Sequence, residues 1–188
     1  MNKKLSILLT APLLLTACAK QPETATPALS AADAALLPQC QQLMDEASLL
    51  SYQGRCFTPR NADLGEHYQF LALAYVFNHP QANACRRVLK AQQSQPGHQN
   101  TDPYEADFER HEAQNTLPQF CDSIRERSRE VADKAESFLM GRIADLAQKE
   151  TTGPEEKRSA ETLQREMEAE LAAEIRKRRA MEQALERQ

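Results

Sequence analysis

The chain has 188 residues, a formal net charge of -4 and a charged fraction of 27%, so it offers no general electrostatic attraction to nucleic acid. Only 5 glycines and no Trp are present, which leaves little material for a phosphate-cradling loop. Abundant Ala, Gln, Glu, Arg and Leu lose little rotamer freedom in a helix, so composition favours an all-α fold.

In chain order, Asn2, Lys3 and Lys4 precede an apolar run from Leu5 that ends in Leu15, Thr16, Ala17 and Cys18. The run is too short for a membrane span, which needs roughly 20 apolar residues, and has the order of a secretory signal over 1–17. Leu15 to Cys18 resembles the lipobox of bacterial lipoproteins. The resemblance implies cleavage before Cys18, a diacylglyceryl thioether on its sulfur and an acylated N-terminus carrying palmitate-type chains. Ala19 and Lys20 follow where an Asp would retain such a protein in the inner membrane. The implied address is therefore the outer membrane, facing the periplasm, held by N-terminal acyl chains.

About 170 residues then remain, enough for one domain and an extension. Residues 18–34 read as a flexible tether, because Pro22, Thr24, Thr26, Pro27 and Ser30 give little apolar surface to offset chain ordering. A helical domain is expected over 35–150. Its first helix spans about Leu37 to Ser51, with Pro38 in the first turn and Cys40, Leu43, Ala47 and Leu50 on one face. Tyr52 to Cys56 is expected as a turn around Gly54. A second helix, about Ala62 to Phe77, holds the densest apolar block, Phe70 to Phe77, and is expected to be the centre of the core. A third runs from about Pro80 to Ala91 with Cys85, Val88 and Leu89 inward.

Residues 92–103 read as a loop. A short fourth helix, capped by Thr101 or Asp102 with Pro103 just inside, reaches Asn115. From Pro118 to about Lys149 an apolar stripe runs through Phe120, Cys121, Ile124, Val131, Ala135, Phe138, Leu139, Ile143 and Leu146 at helical spacing. After Thr151 to Pro154, a C-terminal helical arm occupies 151–188, its helix about 50 Å long. Leu163, Met167, Leu171 and Ile175 make a thin seam on it without a strict heptad, weaker than a self-sufficient coiled coil.

Setting Cys18 aside, Cys40, Cys56, Cys85 and Cys121 are an even set in an oxidising compartment, so two disulfides are expected among three connectivities. No close Cys pair supports zinc. No metal or cofactor is expected, and no catalytic motif is present. His67, Tyr68, Asp107 and His111 are the residues a cell-wall hydrolase or small-ligand site would use, if one cleft united them. Arg176, Lys177, Arg178 and Arg179 read as a solvated face or an anionic-partner contact.

The expected protein is thus a small, disulfide-stapled, all-α domain with a long C-terminal helical extension. Its expected role is a non-enzymatic lipoprotein that binds another membrane or periplasmic protein as an assembly or secretion accessory factor. The contact would use Leu163, Met167, Leu171, Ile175, the neighbouring basic run and the exposed half of the 118–149 helix. A regulatory or sensor lipoprotein, and self-association through the last helix, are the other readings of the same features.

Overall fold

A computed structural model describes residues 29–95, 102–149 and 154–187. Cys18, the signal 1–17 and the tether up to residue 28 lie outside the described residues, as does Thr101. The described chain is all-α: α1 (Ala31–Phe57), α2 (Ala62–Asn78), α3 (Ala82–Gln93), α4 (Glu105–Ala113), α5 (Leu117–Lys149) and α6 (Pro154–Glu186).

The first helix is longer than its sequence pattern indicates at both ends. Ser30 starts it by accepting a hydrogen bond from the Asp33 backbone N–H, so residues 31–34 are helical and not tether. Pro38 therefore stands inside the helix and not in its first turn. The expected turn at Tyr52 to Cys56 is also helical. Leu49, Leu50, Tyr52, Gln53 and Phe57 are buried there, and tertiary burial outweighs the glycine penalty. Gly54 serves close approach instead of chain reversal. A Cβ on it would meet the Gly65 carbonyl oxygen at 2.8 Å, and a Cβ on Gly65 would meet the Gly54 carbonyl oxygen at 2.9 Å. The two glycines let the backbones of α1 and α2 touch.

Both disulfides form, as Cys40–Cys85 and Cys56–Cys121, with Cα atoms 5.1 and 5.6 Å apart. The first ties α1 to α3 and the second ties the end of α1 to the start of α5. Between them, Tyr52 packs its ring against Tyr104, Phe108 and Phe120, with centroids 5.2 to 6.1 Å apart. Asp102 anchors the entry to α4 by accepting from Ser48 Oγ at 2.7 Å and from the Tyr104 backbone N–H at 2.9 Å. Asn115, in the left-handed region at φ 55°, ends α4 and redirects the chain into α5.

The second helix corrects the expected core. Leu64, Tyr68, Leu71, Ala72 and Tyr75 face inward, whereas Phe70, Leu73 and Phe77 are 69%, 59% and 63% exposed. A helix apolar on all sides must expose one of its faces when its neighbours cover only the other. The fifth helix follows its expected stripe, burying Phe120, Ile124, Val131 and Ala135; the side chain of Leu146 lies outside the described residues.

Chain entropy makes each crosslink, closing 45 and 65 residues, worth about 4 kcal/mol. Urea unfolding of the paired variant Cys40→Ser/Cys85→Ser should show a loss of that order, and non-reducing peptide mapping should recover only the two pairs above. Recovery of a Cys40–Cys56 peptide would contradict this topology.

Candidate functional site

The site begins with a buried arginine. Arg178 of α6 is only 1% exposed, although it belongs to the basic run expected to face solvent or a partner. That expectation fails for Arg178, because α6 runs antiparallel along α5 and turns this side chain onto three carboxylates. Its Nε and Nη2 donate to the two oxygens of Glu136 at 2.7 and 2.9 Å. Nη1 donates to Glu182 at 2.8 Å and Nη2 also reaches Asp133 at 2.6 Å. Such a forked pair supplies both charge and direction.

The second helix closes the network. Tyr68 donates its hydroxyl proton to Glu182 Oε1 at 2.6 Å, and Arg178 lies 5.9 Å from the centre of the Tyr68 ring. Burial and the Glu182 charge push the Tyr68 phenol well above its ordinary pKa, so it remains a donor. Burial alone would lower the Arg178 pKa, but the hydrogen bond with Glu136 and the nearby carboxylate charges raise it. For Glu136, desolvation acts upward, yet contact with His67 and the bonds to Arg178 outweigh it and leave the carboxyl below its usual value. Arg129 extends the same network to Glu182 and Glu186.

Docking α6 in this way makes a groove of about 520 Å³ between α2, α5 and α6. Phe70, Leu71, Leu139 and Leu171 form its apolar lining, and Asp63, Glu66, Glu170, Glu174 and Lys177 surround them. His67 sits at the inner edge, Nε2 3.5 Å from Glu136 and Nδ1 4.0 Å from Glu174. Phe70 and Leu171 each belong to an apolar stripe of their helix. Phe70, Leu73 and Phe77 share one face of α2; Leu163 and Met167, 57% and 40% exposed, share a face of α6 with half-buried Leu171.

Of the partner-binding residues expected from sequence, Leu163, Met167, Leu171 and Ile175 thus lie along α6, with Ile175 half-buried, while Arg176, Lys177 and Arg179 are exposed. Arg179 also pairs with Asp133 at 3.0 Å. The hydrolase set is divided. His67 and Tyr68 join the α5–α6 network, but Asp107 pairs with Arg110 and His111 Nδ1 lies 2.9 Å from Thr116 Oγ1 at the end of α4. The groove that His67 lines includes neither Asp107 nor His111.

A second concavity, about 310 Å³, is lined by Gln42, Glu46, Tyr75, His79, Lys134 and Phe138 among others. Its polar groups answer one another. Glu46 accepts from Lys134 at 2.6 and 2.8 Å, from Tyr75 at 2.9 Å and from Gln42 at 3.0 Å. No group of His, Cys, Asp and Glu suited to a metal occurs among the described residues. No described helix is long and apolar enough to cross a membrane. No family model, curated protein or solved structure matches this chain.

The residues that sequence reading passed over are Phe70, Leu73 and Phe77, expected in the core, and Asp133 and Glu136, which no motif singles out. The spacing i, i+3, i+7 on a helix that already has an inward set was the available signal for the first group. No local signal marks the second, because its partner is about 40 residues away.

Replacing Arg178 by Ala strands Glu136 and Glu182 in a buried position and should cost about 3–5 kcal/mol, with amide exchange accelerating in α6 before α1. Arg178→Met, which removes the charge but keeps volume, cannot rescue the two carboxylates and should exchange as fast. Asp133 and Glu136 both have lowered folded-state pKa values, Asp133 because its bonds to Arg179 and Arg178 outweigh burial. Their contribution is complete above the ordinary carboxylate range of about 4 and falls away as pH drops through the lowered values. Protection factors in α6, which remove the intrinsic slowing of amide exchange toward low pH, should therefore fall on acidification to about pH 3; an α6 as protected there as at neutral pH would contradict the linkage.

Proposed function

We propose that this protein is a non-enzymatic envelope lipoprotein, held at the outer membrane by an acylated Cys18 and facing the periplasm. In this reading it binds another envelope protein as an assembly or secretion accessory factor. The observation that carries it is the pair of exposed apolar stripes on α2 and α6, each of which contributes a residue, Phe70 and Leu171, to one groove on a disulfide-stapled body. Apolar side chains at i, i+3, i+4 and i+7 spacing are what helix-on-helix and helix-in-groove recognition uses. A clustered apolar surface of this kind marks a contact site more often than an inert one.

Rigidity supports the same reading. Two crosslinks and the Arg178 network hold α2 and α6 before any partner arrives, so less ordering is left to oppose binding. His67, His79 and His111, and most buried charges among the described residues, are engaged in holding helices together. In this reading they are structural groups.

A photocrosslinking amino acid placed at Phe70, Phe77 or Leu163 in cells should give one dominant adduct, absent when the same group stands at Glu109 on α4. Equal labelling from all four positions, or no adduct from any, would contradict the role. Intact-mass analysis of the native N-terminus should find three acyl chains on a chain that begins at Cys18, and Cys18→Ser should abolish them. An unmodified Cys18 in the native protein would remove the anchor from this account.

A further inference from the structure

The groove between α2 and α6 has a sign as well as a shape. Asp63 and Glu66 stand on its α2 side and Glu170 and Glu174 on its α6 side, with Lys177 the one Lys or Arg among the lining residues. Asp63, Glu66 and Glu170 form no ion pair among the described residues, and all three are exposed. Among the described residues, the one ion-pair contact of Glu174 is with His67, at 4.0 Å. Glu136, deeper in, is already matched by Arg178. The groove therefore has an apolar floor between two acidic walls. A low-dielectric floor concentrates the field of such walls and strengthens attraction for a cation lying between them.

Resting on the reading that this surface binds a protein, we propose that its occupant is a basic amphipathic helix of the partner. Phe70 to Phe77 spans about 10 Å and Leu163 to Leu171 about 12 Å along their helix axes. That matches two to three turns of an incoming helix carrying an apolar stripe. Lys or Arg side chains flanking that stripe reach both walls, because their aliphatic stems lie along apolar surface while the charged ends extend to the carboxylates. A helix with acidic flanks meets like charge on both sides and is excluded. An anionic membrane surface is disfavoured for the same reason. Two copies of this chain, each net acidic with or without residues 1–17, also repel one another.

The test uses the full chain in detergent and two fluorescent helical peptides of identical Leu stripe, one flanked by Lys and one by Glu. The Lys peptide should bind at least tenfold more tightly, as read by anisotropy. Glu66→Lys with Glu170→Lys should remove that preference, whereas the isoelectric control Glu105→Lys with Glu109→Lys on α4 should retain it. Phe70→Ser with Phe77→Ser, both at exposed positions, should weaken the Lys peptide about tenfold without altering the far-ultraviolet spectrum. Equal binding of the two peptides, or a control pair as damaging as the groove pair, overturns the proposal.

Mapping the in-cell adduct of Phe70 separates this inference from the functional reading beneath it. A basic amphipathic segment of another protein supports both. An acidic or extended segment leaves the accessory role standing and overturns the basic helix. A homodimeric adduct, with sedimentation showing a concentration-dependent dimer, overturns the basic helix and makes a second copy the occupant. Absence of any adduct removes both.

Discussion

A guanidinium taken out of water is tolerated only where carboxylates surround it in good geometry, and Arg178 meets that condition with Glu136, Glu182 and Asp133. Position of α6 depends on it. The apolar stripe of this helix is thin and leaves Leu163 and Met167 exposed, so hydrophobic burial along it is modest. What α6 has instead is a buried charge that can be satisfied in one register against α5, with Tyr68 of α2 closing the set. Sliding α6 by one turn would separate the fork of Arg178 from the two oxygens of Glu136. A directional ion network thus sets the register where apolar contacts alone leave it loosely defined.

The proposed binding surface follows from that register. Because α6 lies against α5 and beside α2, Leu171 comes to line the same groove as Phe70, and carboxylates from two distant stretches of chain become facing walls. Had α6 projected freely, its seam would be an isolated and weak amphipathic stripe, and Phe70, Leu73 and Phe77 would be a separate exposed patch. The docked arrangement brings Phe70 of one stripe and Leu171 of the other into a single groove lined by acidic residues.

Support for this surface comes from the opposite side of the molecule. The Gly54–Gly65 approach brings α1 and α2 into backbone contact, and the two disulfides fix α1 to α3 and to α5. Tyr52, Phe108 and Phe120 fill the space where α4 returns. A helical body of this size has limited apolar surface to bury, and crosslinks compensate by restricting its unfolded chain. The outer face of α2 is therefore free to remain apolar without being needed for the core.

By itself the sequence determined the features that arise from neighbours along the chain. Helical content, the long last two helices, the presence of two disulfides and the apolar stripe of α5 follow from side-chain entropy, cysteine count and a 3.6-residue period, all of which act locally. The same local cues misplaced the ends of α1, since Pro38 and Gly54 ordinarily mark boundaries and here are overruled by burial of Leu49, Tyr52 and Phe57. Tertiary structure alone decided which face of α2 is core, which cysteines pair, and that Arg178 is interior while Arg176, Lys177 and Arg179 are not. Those outcomes rest on contacts between residues some 40 to 110 positions apart. A basic residue beside other basic residues carries no mark of the carboxylates it will meet after folding, so its burial is a property of the assembled helices.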